Sequence, residues 1–340
     1  MSARPRLGFL GVGWIGRHRM KAMLGTGLVE AAFIADASPE AAEAAREVAP
    51  KAEIVAGFDE MLDLAPDGIV IATPSAMHAE QSIRALERKV AVFCQKPLGR
   101  TATEVRAVVE AARRADRLLA VDLSYRYTTG MNLIRDAVRA GELGRVFAAD
   151  LVFHNAYGPD KPWFYDPALS GGGCVMDLGI HLVDLALWAL DFPRVLDVSS
   201  TLLAGGQPLA ARTNVVEDYA VATLELESGA VIRIACSWRL QAGCDAVISA
   251  DLHGTEGGAS FRNVGGSFYD FRAERFRGTA RETLTDPPDE WGGRAAADWA
   301  RRLAEGARFD GSAERLLESA LVLDAIYGRV PITSAAPEAR

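Results

Sequence analysis

Short apolar runs alternate with segments of helical periodicity over roughly the first 120 residues of the chain. The apolar runs predict strands at Arg6–Gly11, Leu28–Ala35, Gly68–Ala72, Val90–Cys94 and Leu118–Asp122. The remaining segments predict helices at Ile15–Leu24, Pro39–Val48, Phe58–Leu64, His78–Glu87 and Ala102–Ala115. This alternation is typical of an α/β domain whose doubly wound parallel sheet carries helices on both faces.

The pattern changes after about residue 145, where strands follow one another with hairpin signals between them. Strands are predicted at Val146–Tyr157, Val195–Ala204, Ala220–Glu227, Ala230–Trp238, Ala246–His253 and Ala259–Asn263. Helices are predicted near Val175–Leu190, Ala295–Ala307 and Ala313–Tyr327. We therefore predict a second, α+β domain with mostly antiparallel strands, and place the domains at residues 1–122 and 123–340.

Composition narrows the class of protein. The chain has 340 residues, 49% of them hydrophobic and 24% charged, which suits two globular domains of about 150 residues each. Its net charge of −8 argues against nucleic-acid partners and anionic membrane surfaces. No charge-free stretch reaches the roughly 18 residues of a membrane span, and the N-terminal apolar run reads as a strand and not as an export signal. We expect a cytoplasmic protein without nucleic-acid or membrane partners.

The cysteines Cys94, Cys174, Cys236 and Cys244 are scattered and form no CxxC pair. This spacing favours neither a disulfide framework nor a zinc site. We therefore predict no bound metal.

A glycine-rich turn joins the first predicted strand to the first helix. Gly11 allows a tight turn, Gly13 lets the backbone approach a pyrophosphate, and Gly16 lets the helix pack close to the strand. The N–H groups at the start of that helix, around Trp14 and Ile15, suit the binding of phosphates. An ordinary strand-to-helix turn is the alternative, but it does not account for the acid described next.

Asp36 ends the second predicted strand, about 20 residues after Gly16. Its carboxylate can accept hydrogen bonds from both ribose hydroxyls of an adenosine. It would repel a 2′-phosphate, and Ala37 supplies no cation there. The turn and the acid together predict a dinucleotide site that prefers NAD, with NADP the less favoured cofactor.

Lys96 follows the fourth predicted strand, in the run Gln95-Lys96-Pro97. Ligands of such sheets bind outside the carboxyl ends of the strands. A lysine there, near a bound nicotinamide, can stabilise a developing alkoxide or assist a proton transfer. A surface Lys-Pro in a loop is the alternative for this motif taken alone.

Asp177 and His181 share one face of the helix predicted after three consecutive glycines at 171–173. An imidazole beside a carboxylate is a natural general base, because the carboxylate selects the tautomer and stabilises the charged ring. Asp184 lies three residues after His181 and is a second candidate neighbour. A purely structural His–Asp pair is the alternative, and spacing offers no convincing third ligand for a metal.

Several segments taken together resemble the glucose-fructose oxidoreductase/inositol dehydrogenase/MocA family over nearly the whole chain. They are GVGWIG, the acid at Asp36, ATPSAMHAE, CQKPLG and SGGGCVMDLGIHLVDLALW. The resemblance implies a Rossmann domain followed by a domain with an open, largely antiparallel sheet. It also implies that this open sheet forms a homodimer or homotetramer.

The resemblance further assigns candidate roles. It implies that Lys96, Asp177 and His181 are the catalytic set. It implies nicotinamide-side cofactor contacts at Thr73, Pro74, His78, Gln95 and Lys96. The sequence departs from the family at Gln95, where the usual motif is Glu-Lys-Pro. An amide can still hydrogen-bond a ribose hydroxyl or the lysine, but it supplies no charge.

Polar and aromatic residues near these motifs suit a polyol pocket, because sugars have apolar ring faces and hydroxyl rims. We name Arg126 and Trp163 as further contacts for cofactor or substrate. Candidate substrate residues are Lys96, Arg126, His154, Tyr157, Asp177 and His181.

These observations lead to one hypothesis and two alternatives. The hypothesis is an NAD(P)-dependent dehydrogenase that interconverts a secondary alcohol or lactol of a sugar, inositol or related polyol with its carbonyl form. It requires the Lys96 amine and the His181 imidazole, from different domains, to act at one reacting carbon. The alternatives are an NAD-assisted glycoside hydrolase and a non-catalytic NAD(P)-binding sensor of the same fold.

Overall fold

The computed structural model describes residues 4–209 and 214–329, which divide into two compact units. The first unit contains residues 4–124 and Gly292–Leu317. The second contains Tyr125–Trp291 and the described residues from Glu318 onward.

A six-stranded parallel sheet forms the centre of the first unit, within the described residues. Its strands, β1 to β6, are Arg6–Leu10, Glu30–Ala35, Glu53–Ile54, Gly68–Ile71, Ala91–Cys94 and Leu119–Val121. They lie in the order β3-β2-β1-β4-β5-β6, the Rossmann order, which reverses direction between β1 and β4. The two-residue edge strand β3 was not predicted from the sequence, and it is too short to give a periodicity signal.

Five helices connect these strands. They are α1 at Trp14–Gly25, α2 at Pro39–Arg46, α3 at Phe58–Asp63, α4 at Ser75–Glu87 and α5 at Ala102–Ala115. Ser38 caps α2 by accepting a hydrogen bond from the Ala41 N–H, and Thr101 caps α5 in the same way through Glu104. The predicted alternation of strands and helices is therefore confirmed, with α4 beginning three residues earlier than predicted.

The second unit is built on a nine-stranded sheet, counted over the described part of the chain. Its strands, β7 to β15, are Val146–Asn155, Val195–Ala204, Gln207–Pro208, Tyr219–Leu226, Val231–Ser237, Ala246–Gly254, Gly258–Asn263, Phe271–Arg277 and Ala280–Thr285. They lie in the order β15-β14-β13-β12-β7-β11-β10-β8-β9. The β7–β11 pair is parallel and the other pairs are antiparallel, which confirms the predicted mostly antiparallel sheet.

Helices cover one face of this sheet. They are α6 at Thr129–Arg139, which packs on β13, β14 and β15, and α8 at Ile180–Ala189, which packs on β7 and β11. The short helix α7 at Pro167–Ser170 precedes α8. Side-chain burial alternates along β10, which shows that the two faces of the sheet differ. Ala220, Ala222 and Leu224 are buried, whereas Val221 and Glu225 are exposed. One face thus packs against helices, and the other presents a mixture of apolar and polar side chains.

Every residue of α8 is buried, including two that can ionise, His181 and Asp184. The helical run Pro167–Ala189 is long and apolar enough to cross a membrane, but 94% of its most apolar window is buried inside the structure. A helix that is apolar on all sides is typical of a protein core as well as of a membrane. Here it forms the centre of the second unit.

The remaining helices are α9 at Arg294–Ala304 and α10 at Arg315–Ile326. Trp299 of α9 is fully buried, with its ring 5.8 Å from that of Phe93 on β5. A Cβ at Gly68 of β4 would lie 2.7 Å from the Trp299 ring, so the absent side chain makes room for it. The boundary drawn from the sequence left residues 292–317 in the second domain, whereas the structure packs this segment on the first sheet through Trp299.

Candidate functional site

The glycine turn after β1 has the geometry of a phosphate cradle. Gly11 has φ +81°, and a Cβ at this position would lie 2.5 Å from the carbonyl oxygen of Ala72. A Cβ at Gly16 would lie 2.2 Å from the carbonyl oxygen of Gly11. A Cβ at Gly13 would meet no atom within 4 Å. Two glycines therefore allow close backbone packing, and the third leaves open space for a ligand to approach.

Helix α1 begins directly at this turn. Gly13 is its N-terminal cap, and no side chain accepts the first N–H groups. Trp14 is 63% exposed at the first helical position, and Ile15 is half-buried beside it. Uncapped N–H groups and the helix dipole favour an anion at this end, so the turn fits the pyrophosphate of a dinucleotide.

Asp36 lies at the end of β2 and holds the turn in place. Its Oδ2 accepts the backbone N–H of Val12 at 2.6 Å, and its Oδ1 accepts that of Ser38 at 2.9 Å. Each carboxylate oxygen can accept a second hydrogen bond. The half-buried carboxylate therefore retains acceptors for a ribose while it fixes the turn.

His78 connects the loops that follow β4 and β5. Its Nε2 lies 2.7 Å from the carbonyl oxygen of Thr73, and its Nδ1 lies 2.6 Å from that of Pro97. Burial lowers the pKa of His78, and the positive charge of Lys96 acts in the same direction, while the two carbonyls oppose them. The ring is fully inside the unit, so it orders both loops instead of presenting a free imidazole.

The predicted contacts Thr73, Pro74 and Lys96 lie in these same loops. Thr73 donates its hydroxyl hydrogen to Oε1 of Gln81 at 2.7 Å, and Pro74 precedes α4 as its cap. Lys96 lies two residues after the end of β5 and is half-buried. The first unit therefore gathers these residues at the carboxyl ends of β4 and β5, where ligands of such sheets bind.

Gln95 has a partner that the sequence did not reveal. Its Nε2 donates to Oδ2 of Asp122, which follows β6, at 2.7 Å. The same oxygen accepts Nε of Arg19, from α1, at 2.5 Å. An acidic residue directly after a strand was the only local signal for this cluster.

In the second unit, Glu217 anchors the three-glycine segment. Its Oε1 accepts the N–H groups of Gly173 and Val175 at 2.9 Å each, and the Tyr327 hydroxyl at 2.7 Å. A Cβ at Gly173 would lie 1.9 Å from the carbonyl oxygen of Glu217, so the close approach requires glycine. Burial raises the pKa of Glu217, against the effect of these donors.

The segment after the glycines begins as one π-helical turn, Val175–Gly179, before α8 continues as α-helix. The sequence predicted a helix over Val175–Leu190 and gave no sign of the wide turn. Asp177 lies in the wide turn and His181 in the first turn of α8. Single π turns inside helices are frequent at functional sites. Glu217 receives the N–H groups at the start of this turn and so fixes its position.

Asp177 and His181 each have an aromatic neighbour within the unit. The Nε1 hydrogen of Trp238 is donated to Oδ2 of Asp177 at 3.0 Å. The His181 ring lies edge-on to Tyr125, with ring centroids 4.9 Å apart, and is 8% exposed. Trp238 was not predicted as a site residue, because nothing in a strand-end tryptophan indicates a partner 61 residues away.

Asp184, three residues after His181, forms an ion pair with Arg126. Arg126 donates from Nε to Oδ2 of Asp184 at 2.7 Å and from Nη2 to Oδ1. Burial raises the pKa of Asp184 and Arg126 opposes that shift. The guanidinium, named from the sequence as a ligand contact, thus makes a bidentate ion pair.

The other predicted contacts lie on different elements of the second unit. His154 of β7 contacts the Ser237 hydroxyl through Nδ1 at 2.7 Å, and burial lowers the pKa of His154. Tyr157 is exposed, with its ring 6.0 Å from that of Phe268. Trp163 stacks on Phe164 at 3.8 Å between centroids.

Trp238 joins this aromatic group. Phe164 and Tyr165 both meet its ring edge-on, at 6.4 and 5.6 Å. The neighbourhood of Asp177 therefore combines aromatic faces with a carboxylate, a combination that suits sugar rings and their hydroxyl groups.

Both parts of the chain match known families. Residues 6–123 match the oxidoreductase family with an NAD-binding Rossmann fold, and residues 131–260 match the GFO/IDH/MocA C-terminal domain. Inositol 2-dehydrogenase of Acidiphilium cryptum is 30% identical over 260 residues, which cover 75% of this chain and 73% of that protein. D-glucoside 3-dehydrogenase of Escherichia coli K12 is 28% identical over 210 residues, or 59% of this chain. That match spans only 60% of the relative's length.

Solved structures share the whole fold. Levoglucosan dehydrogenase in complex with NADH and levoglucosan superposes with a TM-score of 0.82 at 22% identity, covering 98% of this chain and 100% of that one. A 3-ketoreductase from Actinomadura kijaniata in complex with NADP gives a TM-score of 0.81 at 19% identity, covering 96% and 98%. The predicted fold class is confirmed. Its first domain is an NAD(P)-binding Rossmann domain, and the chain belongs to the GFO/IDH/MocA family of oxidoreductases.

Proposed function

We propose that this protein is an NAD-dependent dehydrogenase that interconverts a secondary alcohol or lactol of a sugar, inositol or related polyol with the corresponding carbonyl compound. The proposal rests on Asp177 in the π turn and His181 in α8, whose side chains each contact an aromatic neighbour. Asp177 is held by the Trp238 indole, and His181 is packed against Tyr125. An acid and a base so restrained, in a chain with a dinucleotide-binding domain, suit proton transfer coupled to alcohol oxidation.

NAD is the proposed cofactor, with NADP less favoured. Gly11, Gly13 and Gly16 would hold the pyrophosphate, and Asp36 would accept the adenosine ribose hydroxyls. The carboxylate of Asp36 repels a 2′-phosphate, and Ala37 offers no cation to compensate. Among the similar structures, levoglucosan dehydrogenase holds NADH and the 3-ketoreductase holds NADP. The proposed preference for NAD therefore rests on the negative charge of Asp36.

The nicotinamide supplies hydride acceptance and donation when the cofactor is bound. In the oxidation direction, His181 removes the proton of the substrate hydroxyl. Asp177 orients the imidazole or a substrate hydroxyl, and Trp238 keeps the carboxylate in one position. Lys96 stabilises the developing alkoxide with its positive charge. In the reduction direction the same groups return the proton to the carbonyl oxygen.

A small polyhydroxylated substrate is proposed from the side chains of the second unit. Trp163, Phe164 and Trp238 present ring faces and edges near Asp177. The similar proteins are named for glucoside, levoglucosan and inositol substrates, which are all rich in hydroxyl groups. Arg126 and His154 are proposed to shape this region through Asp184 and Ser237, respectively.

We also propose a homodimer or homotetramer formed through the face of the β7–β15 sheet that none of the described helices covers. Apolar Val221 and Val231 are exposed on neighbouring strands of that sheet, beside Arg233 and Asp150. Light scattering of the purified protein tests this assembly. A Val231→Asp variant is expected to shift the protein toward the monomer, and a parent protein that is monomeric at micromolar concentration contradicts it.

A panel of aldoses, glycosides, inositols and polyols with NAD⁺, monitored by NADH absorbance, tests the enzymatic function. Net NADH formation with at least one substrate supports the dehydrogenase. Release of an aglycone without net reduction would indicate an NAD-assisted hydrolase. Cofactor binding without turnover across the panel would indicate a sensor, and either of these results overturns the proposal.

A further inference from the structure

A buried cluster of charge lies at the carboxyl ends of β5 and β6 in the first unit. Arg19 of α1 and Gln95 both donate to the same oxygen of Asp122, at 2.5 and 2.7 Å. All three side chains are buried, with Asp122 only 2% exposed. Water therefore screens these interactions little, and each of them is stronger than it would be on the surface.

The carboxylate restricts Gln95 to one orientation. A carboxylate paired with a guanidinium can only accept hydrogen bonds, so Gln95 must turn its NH₂ group toward Asp122. The amide oxygen then lies at the opposite edge of the amide. A glutamine without such a partner could exchange its donor and acceptor by rotating its amide. Here one N–H of the amide is bound to Asp122, so the Oε1 acceptor of Gln95 is held in a fixed position.

The buried carboxylate of Asp122 is stabilised by hydrogen bonds from Arg19 and Gln95. Its other oxygen, Oδ1, is buried and has no hydrogen-bond partner within residues 4–209 and 214–329. Arg19 and Gln95 therefore satisfy this buried charge together. Glutamate at position 95 would place a second carboxylate about 2.7 Å from Oδ2 of Asp122, and like charges at that separation repel strongly. An amide at position 95 is thus compatible with the charged carboxylate of Asp122, whereas a glutamate there would require one of the two carboxyl groups to stay protonated.

We propose that Asp122 and Arg19 are positioning residues that fix Gln95 as a hydrogen-bond acceptor for the nicotinamide riboside half of the cofactor. The inference rests on the proposed NAD-dependent function. It accounts for the departure from the Glu-Lys-Pro motif. Gln95 still provides a hydrogen-bond acceptor next to Lys96, and the negative charge is on Asp122, at the end of the neighbouring strand β6. Adenosine and the phosphates bind through other residues, so Asp122 and Gln95 should affect only the nicotinamide half.

The affinities of the full chain for NADH and for ADP distinguish contacts to the nicotinamide riboside from contacts to the rest of the cofactor. ADP carries the adenosine and both phosphates but lacks the nicotinamide riboside. The variants are Asp122→Asn, whose amide permits both orientations of Gln95, Gln95→Glu, and the double variant. The double variant keeps one negative charge next to Arg19 and reverses the hydrogen bond. Asp63→Asn, in an exposed ion pair with Arg88 of the same unit, is the matched control.

We expect each single variant to raise the Kd of NADH about 5- to 10-fold and to leave the Kd of ADP within about 2-fold of the parent value. The double variant should return the Kd of NADH to within about 3-fold of the parent. If Asp122→Asn does not fold, Gln95→Leu retains the Arg19–Asp122 pair and should weaken NADH alone. The control should bind both ligands as the parent does.

Unchanged NADH binding in the single variants overturns the inference, as does parallel weakening of ADP or a double variant no better than the weaker single one. A parent protein that oxidises polyols with NAD⁺ and yet gives one of these results refutes only the inference. A parent protein that binds neither NADH nor ADP refutes the proposed function as well.

Discussion

The indole Nε1 of Trp238 donates a hydrogen bond to Oδ2 of Asp177 at 3.0 Å. This bond joins the end of β11 to the π turn before α8. Asp177 can therefore hold one orientation while the neighbouring His181 changes its protonation state. We expect Trp238→Phe to remove this restraint and to lower kcat about 10- to 100-fold, because a hydrogen bond to a charged group contributes roughly 1.5–3 kcal/mol.

Steady-state kinetics on a substrate identified from the panel measure this loss. Trp299→Phe is the matched control, since the Trp299 indole N–H is buried without a hydrogen-bond partner among the described residues. Its kcat should stay near that of the parent protein. A Trp238→Phe variant with parental kcat would show that the orientation of Asp177 does not depend on the indole.

Replacement of the proposed base should affect turnover more than folding. We expect His181→Ala to lower kcat by roughly 10²–10⁴, the usual contribution of general acid–base catalysis. The Kd of NADH, measured by fluorescence, should change little in the same variant. Near-parental turnover would remove His181 from the mechanism.

The anchoring of the glycine segment by Glu217 predicts a difference between two substitutions. Glu217→Ala leaves the N–H groups of Gly173 and Val175 and the Tyr327 hydroxyl without their acceptor, at a cost of about 2–4 kcal/mol of unfolding free energy. Glu217→Gln keeps one oxygen for these donors and removes a buried charge, so it should cost less. Urea unfolding measures both, and equal losses would contradict this account.

His78 predicts a pH dependence of stability. Because burial lowers its pKa, the folded protein keeps the ring neutral at pH values where the unfolded chain takes up a proton. The free energy of unfolding should therefore fall as the pH drops below about 6.5, by at most about 1.4 kcal/mol per pH unit from this residue. His78→Gln should show a shallower slope between pH 7 and pH 5. Identical slopes in the parent and the variant would contradict the assignment.

The carboxylate of Asp36 should set the preference between the two cofactors. Asp36→Asn keeps an oxygen for the Val12 N–H but removes the charge that repels a 2′-phosphate. We expect the ratio of kcat/KM for NAD to that for NADP to fall about 10- to 100-fold. Melting temperatures of the two proteins control for damage to the turn. A parent protein that already prefers NADP would refute this role.

Local signals predicted most of the first unit. The glycine turn, the alternating strands and helices and the acid at residue 36 all depend on residues close together in the chain. Strands β3, β9, β14 and β15 and helices α6 and α7 were not predicted. β3 is only two residues long, and β15 alternates little in burial, with four of its six residues exposed. Patterns of apolar residues cannot identify strands that bury so little.

The sequence by itself determined the family, the dinucleotide-binding turn and the candidate residues Lys96, Asp177 and His181. Glycine turns, short motifs and periodic patterns depend only on residues that are close together in the chain. Only the tertiary structure decided which partners these regions receive. Asp122 meets Gln95 from 27 positions away and Arg19 from 103, and Trp238 meets Asp177 from 61. Such pairs form because the fold packs strand ends against one another and against helices, and no local property of either residue specifies its distant partner.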